Sequence, residues 1–221
     1  MTTAVAGALH PRWQFLALIG VALVLIVPEI PLPAGGGVGL RLAKEAWWVS
    51  LGVAILLWVT LVERRPLSSI GLKPPAVATF GWAAVMFVLL MASVMLSYAL
   101  ILPAMGLSMN QAATAKIVAL PGWLQFLMFL RAGVVEEIIY RGYPIERIEQ
   151  LTGSKAVAVL LPGLAFVGAH FFYWGGGQLV VVAFATVILS VFYLWKRDLV
   201  SCMIAHAATD MVGFALANSQ M

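Results

Sequence analysis

Residues 133–142 read Gly133-Val134-Val135-Glu136-Glu137-Ile138-Ile139-Tyr140-Arg141-Gly142. Two adjacent carboxylates and an arginine therefore lie inside one of the most apolar stretches of the chain. A charged side chain at the centre of a bilayer costs about 2.5–3.5 kcal/mol even on the lenient insertion scale. Three such groups within six residues need a compensating reason, and chemistry is the first to consider.

The rest of the chain makes the bilayer the expected surroundings. It has 221 residues, 63% hydrophobic and 10% charged, against about 25% charged in a soluble average. Several runs of about 20 residues carry almost no charge, enough to cross a hydrocarbon core as helices. The expected fold is an all-α, polytopic transmembrane helix bundle of about seven to eight spans. It is expected to form a single integral membrane domain over residues 1–221, with a motif-bearing core at about 121–217. The net charge of +4 does not point to nucleic acid, because the Lys and Arg lie mostly between the hydrophobic runs. A lone Cys202 excludes an internal disulfide and a Cys-pair metal site.

Seven spans are expected, at about 13–30, 46–62, 78–102, 121–143, 155–174, 178–195 and 199–217. The first is read as an anchor rather than a cleaved signal, ended by Pro28, Pro31 and Pro33. A Gly-rich loop with Arg41 and Lys44 leads to the second, and a loop joins Pro103 to Ala119. Of the thirteen Lys and Arg, nine fall on one side, three (Arg41, Lys44, Lys116) on the other, and Arg131 within a span. The positive-inside rule then puts the N-terminus in the cytoplasm. Trp13, Trp47, Trp48, Trp123, Trp174 and Trp195 fall at span ends, as interfacial anchors do. Gly163, Ala165, Gly168 and Ala169 are expected to let the fifth span approach its neighbours closely. Glu146, Arg147 and Glu149 are expected to form a solvated face beyond the fourth span, and Arg131 to snorkel or pair near the turn of Glu136.

Polar groups inside the spans fall into three clusters: Glu136, Glu137 and Arg141; His170; and His206 with Asp210. Glu137 and Arg141 are four apart and share a helix face, so each offsets the other's burial. Glu136 is rotated about 100° from Glu137 and is left to face a cavity. His206 and Asp210 are also four apart. Intramembrane ionisable groups face the bundle interior, so one Glu, one His and a His/Asp pair from three helices converge on one pocket. A buried glutamate can take a proton from water and return it. His170 would hold that water, and His206, its ring fixed by Asp210, would donate to a developing oxyanion. The same four groups, Glu136, His170, His206 and Asp210, could instead hold Zn²⁺.

Glu136-Glu137-x-x-x-Arg141, then Phe166-x-x-x-His170, then His206-x-x-x-Asp210 resembles the three-motif signature of the CAAX protease and bacteriocin-processing family. This is an intramembrane protease family that includes the type II CAAX prenyl endopeptidases. The resemblance covers residues 136–210; residues 1–120 match only as further membrane helices. It implies Glu136 as the water-activating base with His170, His206 and Asp210 at the oxyanion, and Glu137 with Arg141 as the structural pair that holds Glu136. It implies no resident cofactor, with Zn²⁺ as the alternative. The final motif position is often Asn in the family, whereas Asp210 is a carboxylate that orients His206 or binds metal unless protonated.

The expected function is an intramembrane endopeptidase that cleaves a membrane-embedded or lipidated peptide near the cytoplasmic face, with the lipid bilayer as its other partner. With no organelle-targeting segment read, a prokaryotic plasma membrane is the expected home. Two other readings compete. One is a non-catalytic family member serving as an immunity or scaffold protein. The other is a haem-binding or proton-coupled membrane protein using His170 and His206, against which the absence of an internal repeat counts.

Overall fold

The computed structural model describes residues 11–26 and 37–219. Among them the regular structure is entirely helical. α1 is Pro11–Ile26, α2 Val38–Leu57, α3 Val77–Leu96 and α4 Gln111–Val118. The longest element, α5, is the continuous rod Gly122–Thr152, followed by α6 Lys155–Trp174, α7 Gly176–Lys196 and α8 Leu199–Asn218. α2 and α3 each run on through a wider turn, Trp58–Val62 and Ser97–Ile101.

The element boundaries follow local chemistry. Asn110, Ser154 and Asp198 cap α4, α6 and α8 by accepting from the backbone N–H three residues on. Gly153 at φ 68° ends α5 in the left-handed conformation that glycine adopts without steric cost.

Four of the expected spans stand out by length and hydropathy: Val38–Val62, Val77–Ala104, Gly176–Lys196 and Leu199–Asn218. α4 and α5 are bent by 115° and add a fifth if taken together. By length and hydropathy alone, four to five helices among the described residues thus qualify as membrane spans, in keeping with an all-α polytopic bundle. Pro11–Ile26 and Lys155–Phe171 are shorter apolar helices, and α5 carries charges from Arg131 to Glu149. Pro28, Pro31 and Pro33, and the expected end of the first span, lie outside the described residues. The loop expected around Arg41 and Lys44 is helix, because α2 begins at Val38, eight residues earlier than the sequence suggested. The loop expected over 103–119 contains α4.

The helices alternate in direction. One end of the bundle gathers Trp13, the 63–71 linker, the last turns of α5 and the turn before α8. Arg65 lies over the Trp13 ring at 5.5 Å, and the Leu199 N–H donates to the Gly71 carbonyl at 2.9 Å. The other end gathers the start of α2, α4, and the junction of α6 and α7, where Asn110 Nδ2 donates to the Tyr173 carbonyl at 3.3 Å. Between them Val59, Ile139, Tyr143, Leu189, Tyr193 and Cys202 form one buried core. Two glycines of α5 allow its closest contacts. A Cβ on Gly133 would meet Ala207 Cβ at 2.6 Å, and one on Gly142 would meet Leu199 Cδ2 at 2.7 Å. The close approach expected of α6 is made at Gly163, where a Cβ would meet Thr186 Cγ2 at 3.1 Å, and not at Gly168, where it would meet nothing within 4 Å.

Candidate active site

Between Arg131 and Tyr143 the α5 rod departs from α-helical geometry. Ala132–Glu136 and Ile138–Gly142 are π-turns flanking Glu137. Two glycines and four β-branched residues weaken the α-helical preference here, and such turns recur at functional sites. The consequence is geometric. Residues five apart in an α-helix are rotated by about 140°, whereas an i→i+5 turn stacks them. Arg131 Nη1 accordingly donates to Glu136 Oε1 at 2.6 Å.

Glu137 faces the other way. Its Oε1 accepts from Arg141 Nη1 at 2.8 Å and lies 2.8 Å from His206 Nδ1 on α8. Glu137 and Arg141 are 0% and 1% exposed. The expected Glu137–Arg141 pair is therefore present, but it reaches Glu136 only through the backbone, and its other contact is the His206 ring. Asp210 Oδ2 is 3.6 Å from His206 Nε2, too far for a hydrogen bond. The residue that fixes the His206 ring is Glu137, not Asp210.

On α6, His170 Nδ1 lies 2.8 Å from the Phe166 carbonyl. A carbonyl only accepts, so Nδ1 carries a proton, and in the neutral ring Nε2 is left as an acceptor. Phe166 is the packing hub between the helices. Its ring lies 4.6 Å from that of His170, 6.3 Å from that of His206 and 4.9 Å from that of Tyr140, with the Arg141 guanidinium 4.2 Å from its centroid.

Glu136, His170, His206 and Asp210 line one cavity of about 490 Å³. Glu137 and Arg141 lie behind its wall. The cavity reaches buried Leu90, Tyr140 and Leu189 at its floor and exposed Tyr98, Tyr173 and Leu216 near its rim. Arg41, Lys44 and Thr114 also line it, so the mouth is at the bundle end that carries few cations. This differs from the expected location beside the basic loop after the fourth span. The reason is the length of α5, which continues to Thr152 and leaves Glu136 in mid-rod.

The basic end is sealed instead. Arg147 is 1% exposed, and its Nη2 donates to Glu63 Oε2 at 2.6 Å and to Ser69 Oγ at 3.1 Å. Tyr143 donates to Glu63 Oε1 at 2.8 Å. Arg197 Nη1 donates to Glu146 Oε1 at 2.7 Å, and its Nη2 pairs with Glu149. The solvated face expected of Glu146, Arg147 and Glu149 is thus a set of ion pairs that closes this end.

The four side chains considered for zinc do not form a metal-binding group. Among the described residues no set of three or more His, Cys, Asp and Glu is so arranged. Arg131 already places a cation on Glu136.

Of the two expectations for Arg131, snorkelling or pairing near Glu136, the structure shows the pairing, while Glu45 has no part in the sequence reading. Arg131 Nε donates to Glu45 Oε2 at 2.7 Å. Trp48, expected as an interfacial anchor, is 5% exposed and lies 5.3 Å from the Arg131 guanidinium. The signal for Glu45 was its place one helical turn from Arg41 and three residues before Trp48. That signal was masked because the second span was begun at residue 46.

Residues 118–212 match the family model described as type II CAAX prenyl endopeptidase Rce1-like. No curated protein and no solved structure matches the chain.

Proposed function

From a chain that carries a type II CAAX prenyl endopeptidase Rce1-like domain over residues 118–212, a domain of a protease family, we propose an intramembrane endopeptidase that uses Glu136 to activate water. The observation that carries this reading is that Glu136, His170, His206 and Asp210, from three separate helices, line one cavity. Glu136 Oε1 is held by Arg131, so Oε2 is the oxygen left for a water. His170 Nε2 accepts one hydrogen of that water, and Glu136 Oε2 takes the other as a proton. The water oxygen then attacks the scissile carbonyl carbon, and the C=O electrons move to oxygen. His206, when its ring carries both protons, gives Nδ1–H to Glu137 and offers Nε2–H to that oxyanion. Asp210 helps hold the ring in this charged form. When the C–N bond breaks, the proton on Glu136 passes to the leaving amine.

The substrate is a membrane-embedded or lipidated peptide, and catalysis needs no metal. The charge rule places the sealed, cation-rich end in the cytoplasm together with the start of α1. The cavity then opens toward the opposite face.

The test uses the purified protein and an internally quenched farnesylated peptide ending in a Cys-aliphatic-aliphatic-X sequence. Glu136→Gln lowers turnover by about 10²–10⁴-fold, the scale of a general base, with unchanged elution on gel filtration. Turnover persisting near the wild-type rate would sink the reading. Excess chelator leaves the wild-type rate unchanged; a loss restored by added Zn²⁺ would transfer the chemistry to a metal.

A further inference from the structure

Glu136 is one end of a row of alternating charges that runs out of the matched segment. Arg131 Nη1 donates to Glu136 Oε1 at 2.6 Å and Arg131 Nε to Glu45 Oε2 at 2.7 Å, while Arg41 Nε lies 3.2 Å from Glu45 Oε1. Glu45 is 7% exposed and belongs to α2, which the family match over 118–212 does not reach. Arg131 thus spends two different nitrogens on two carboxylates that pull it in two directions, with Trp48 against its guanidinium. Charge-assisted hydrogen bonds in a low-dielectric interior are strong and directional. The position of Arg131 is therefore determined jointly by α2 and α5.

We propose that Arg131 and Glu45 are positioning residues for Glu136: Arg131 selects which carboxylate oxygen faces the cavity, and Glu45 holds Arg131 and limits how strongly it grips Glu136. The inference rests on Glu136 being the base. The other charged groups near Glu136 are His170 on α6, His206 and Asp210 on α8, Glu137 on its own helix, and Arg41 and Lys44 of α2 on the cavity wall; Arg131 is the residue bonded both to Glu136 and to α2.

The two residues act with opposite sign, which separates positioning from simple support. Arg131→Met removes the cation from Glu136. Glu45→Gln removes a competing anion yet keeps an oxygen that accepts from Arg131 Nε. A difference infrared titration of the purified full-length protein, referenced to Glu136→Gln, follows the pH at which the Glu136 carboxylate takes up its proton. Uptake moves to higher pH by about one unit or more in Arg131→Met, which loses a cation within hydrogen-bond reach, and to lower pH in Glu45→Gln, where no second anion draws Arg131 away from Glu136. Arg131→Lys restores part of the shift. Unchanged uptake, or displacement of the same sign in both variants, would overturn the proposal. If Arg131→Met does not fold, Glu45→Gln and Arg131→Lys decide with the same readout. The infrared signal does not depend on turnover, so an inactive wild-type preparation counts against the protease reading and leaves this result to stand or fall alone.

Discussion

Glu137 shows how one side chain serves two helices. Its Oε1 binds Arg141 on its own helix and His206 on α8, while its Oε2 and Arg141 Nη2 are buried without a hydrogen-bond partner. Removing it strands a buried cation, which costs about 3–5 kcal/mol. Glu137→Ala is therefore expected to lower the thermal unfolding temperature in detergent sharply and to release the His206 ring. Asp210→Asn is the contrast. Asp210 is partly exposed and lies beyond hydrogen-bond distance of His206, so stability changes by no more than about 0.5 kcal/mol, while turnover reports any role at the oxyanion. The sequence made the Glu137–Arg141 pair legible because helical spacing is local. It could not reveal Glu137–His206, whose partners are 69 residues apart, and so it gave the ring to the nearest acid, Asp210.

At the scale of elements, α5 differs most from its sequence reading. A uniform 3.6-residue period separates Arg131 from Glu136, and only the π-turn over Ala132–Glu136 brings them together. Periodicity detects helices but not a local change of period, which is why the order of the motifs was legible and the Arg131 contact only as one of two alternatives, snorkelling or pairing near Glu136. The last turns of α5 were misread for a similar reason. Glu146, Arg147 and Glu149 have the composition of a solvated face, and their partners Glu63 and Arg197 come from distant turns. The buried Arg147–Glu63 pair makes the distinction measurable. Arg147→Met leaves Glu63 uncompensated and costs about 3–5 kcal/mol. Adding Glu63→Gln recovers most of that loss, giving a coupling of about 1 kcal/mol or more in a double-mutant cycle followed by thermal unfolding. Additive losses would mean that the two side chains do not interact.

The whole molecule is a helical bundle with unlike ends: one cation-rich and closed by ion pairs, the other cation-poor and bearing the cavity mouth. Its native cysteine, Cys202, is buried, so introduced cysteines can be followed without background. In intact cells a membrane-impermeant maleimide is expected to label Ser108→Cys at the mouth end and not Lys155→Cys at the sealed end; both positions are exposed. The reverse pattern would put the mouth in the cytoplasm. A hollow that reaches Glu136 would bring water deep into an insulating layer, with the Glu63–Arg147 and Arg197 clusters and the apolar core between it and the opposite face. Those clusters are thus also an electrical barrier. A chain whose barrier fails would let protons run down the gradient across its host membrane, so tolerance of the closed end to substitution is limited by leakage as well as by folding.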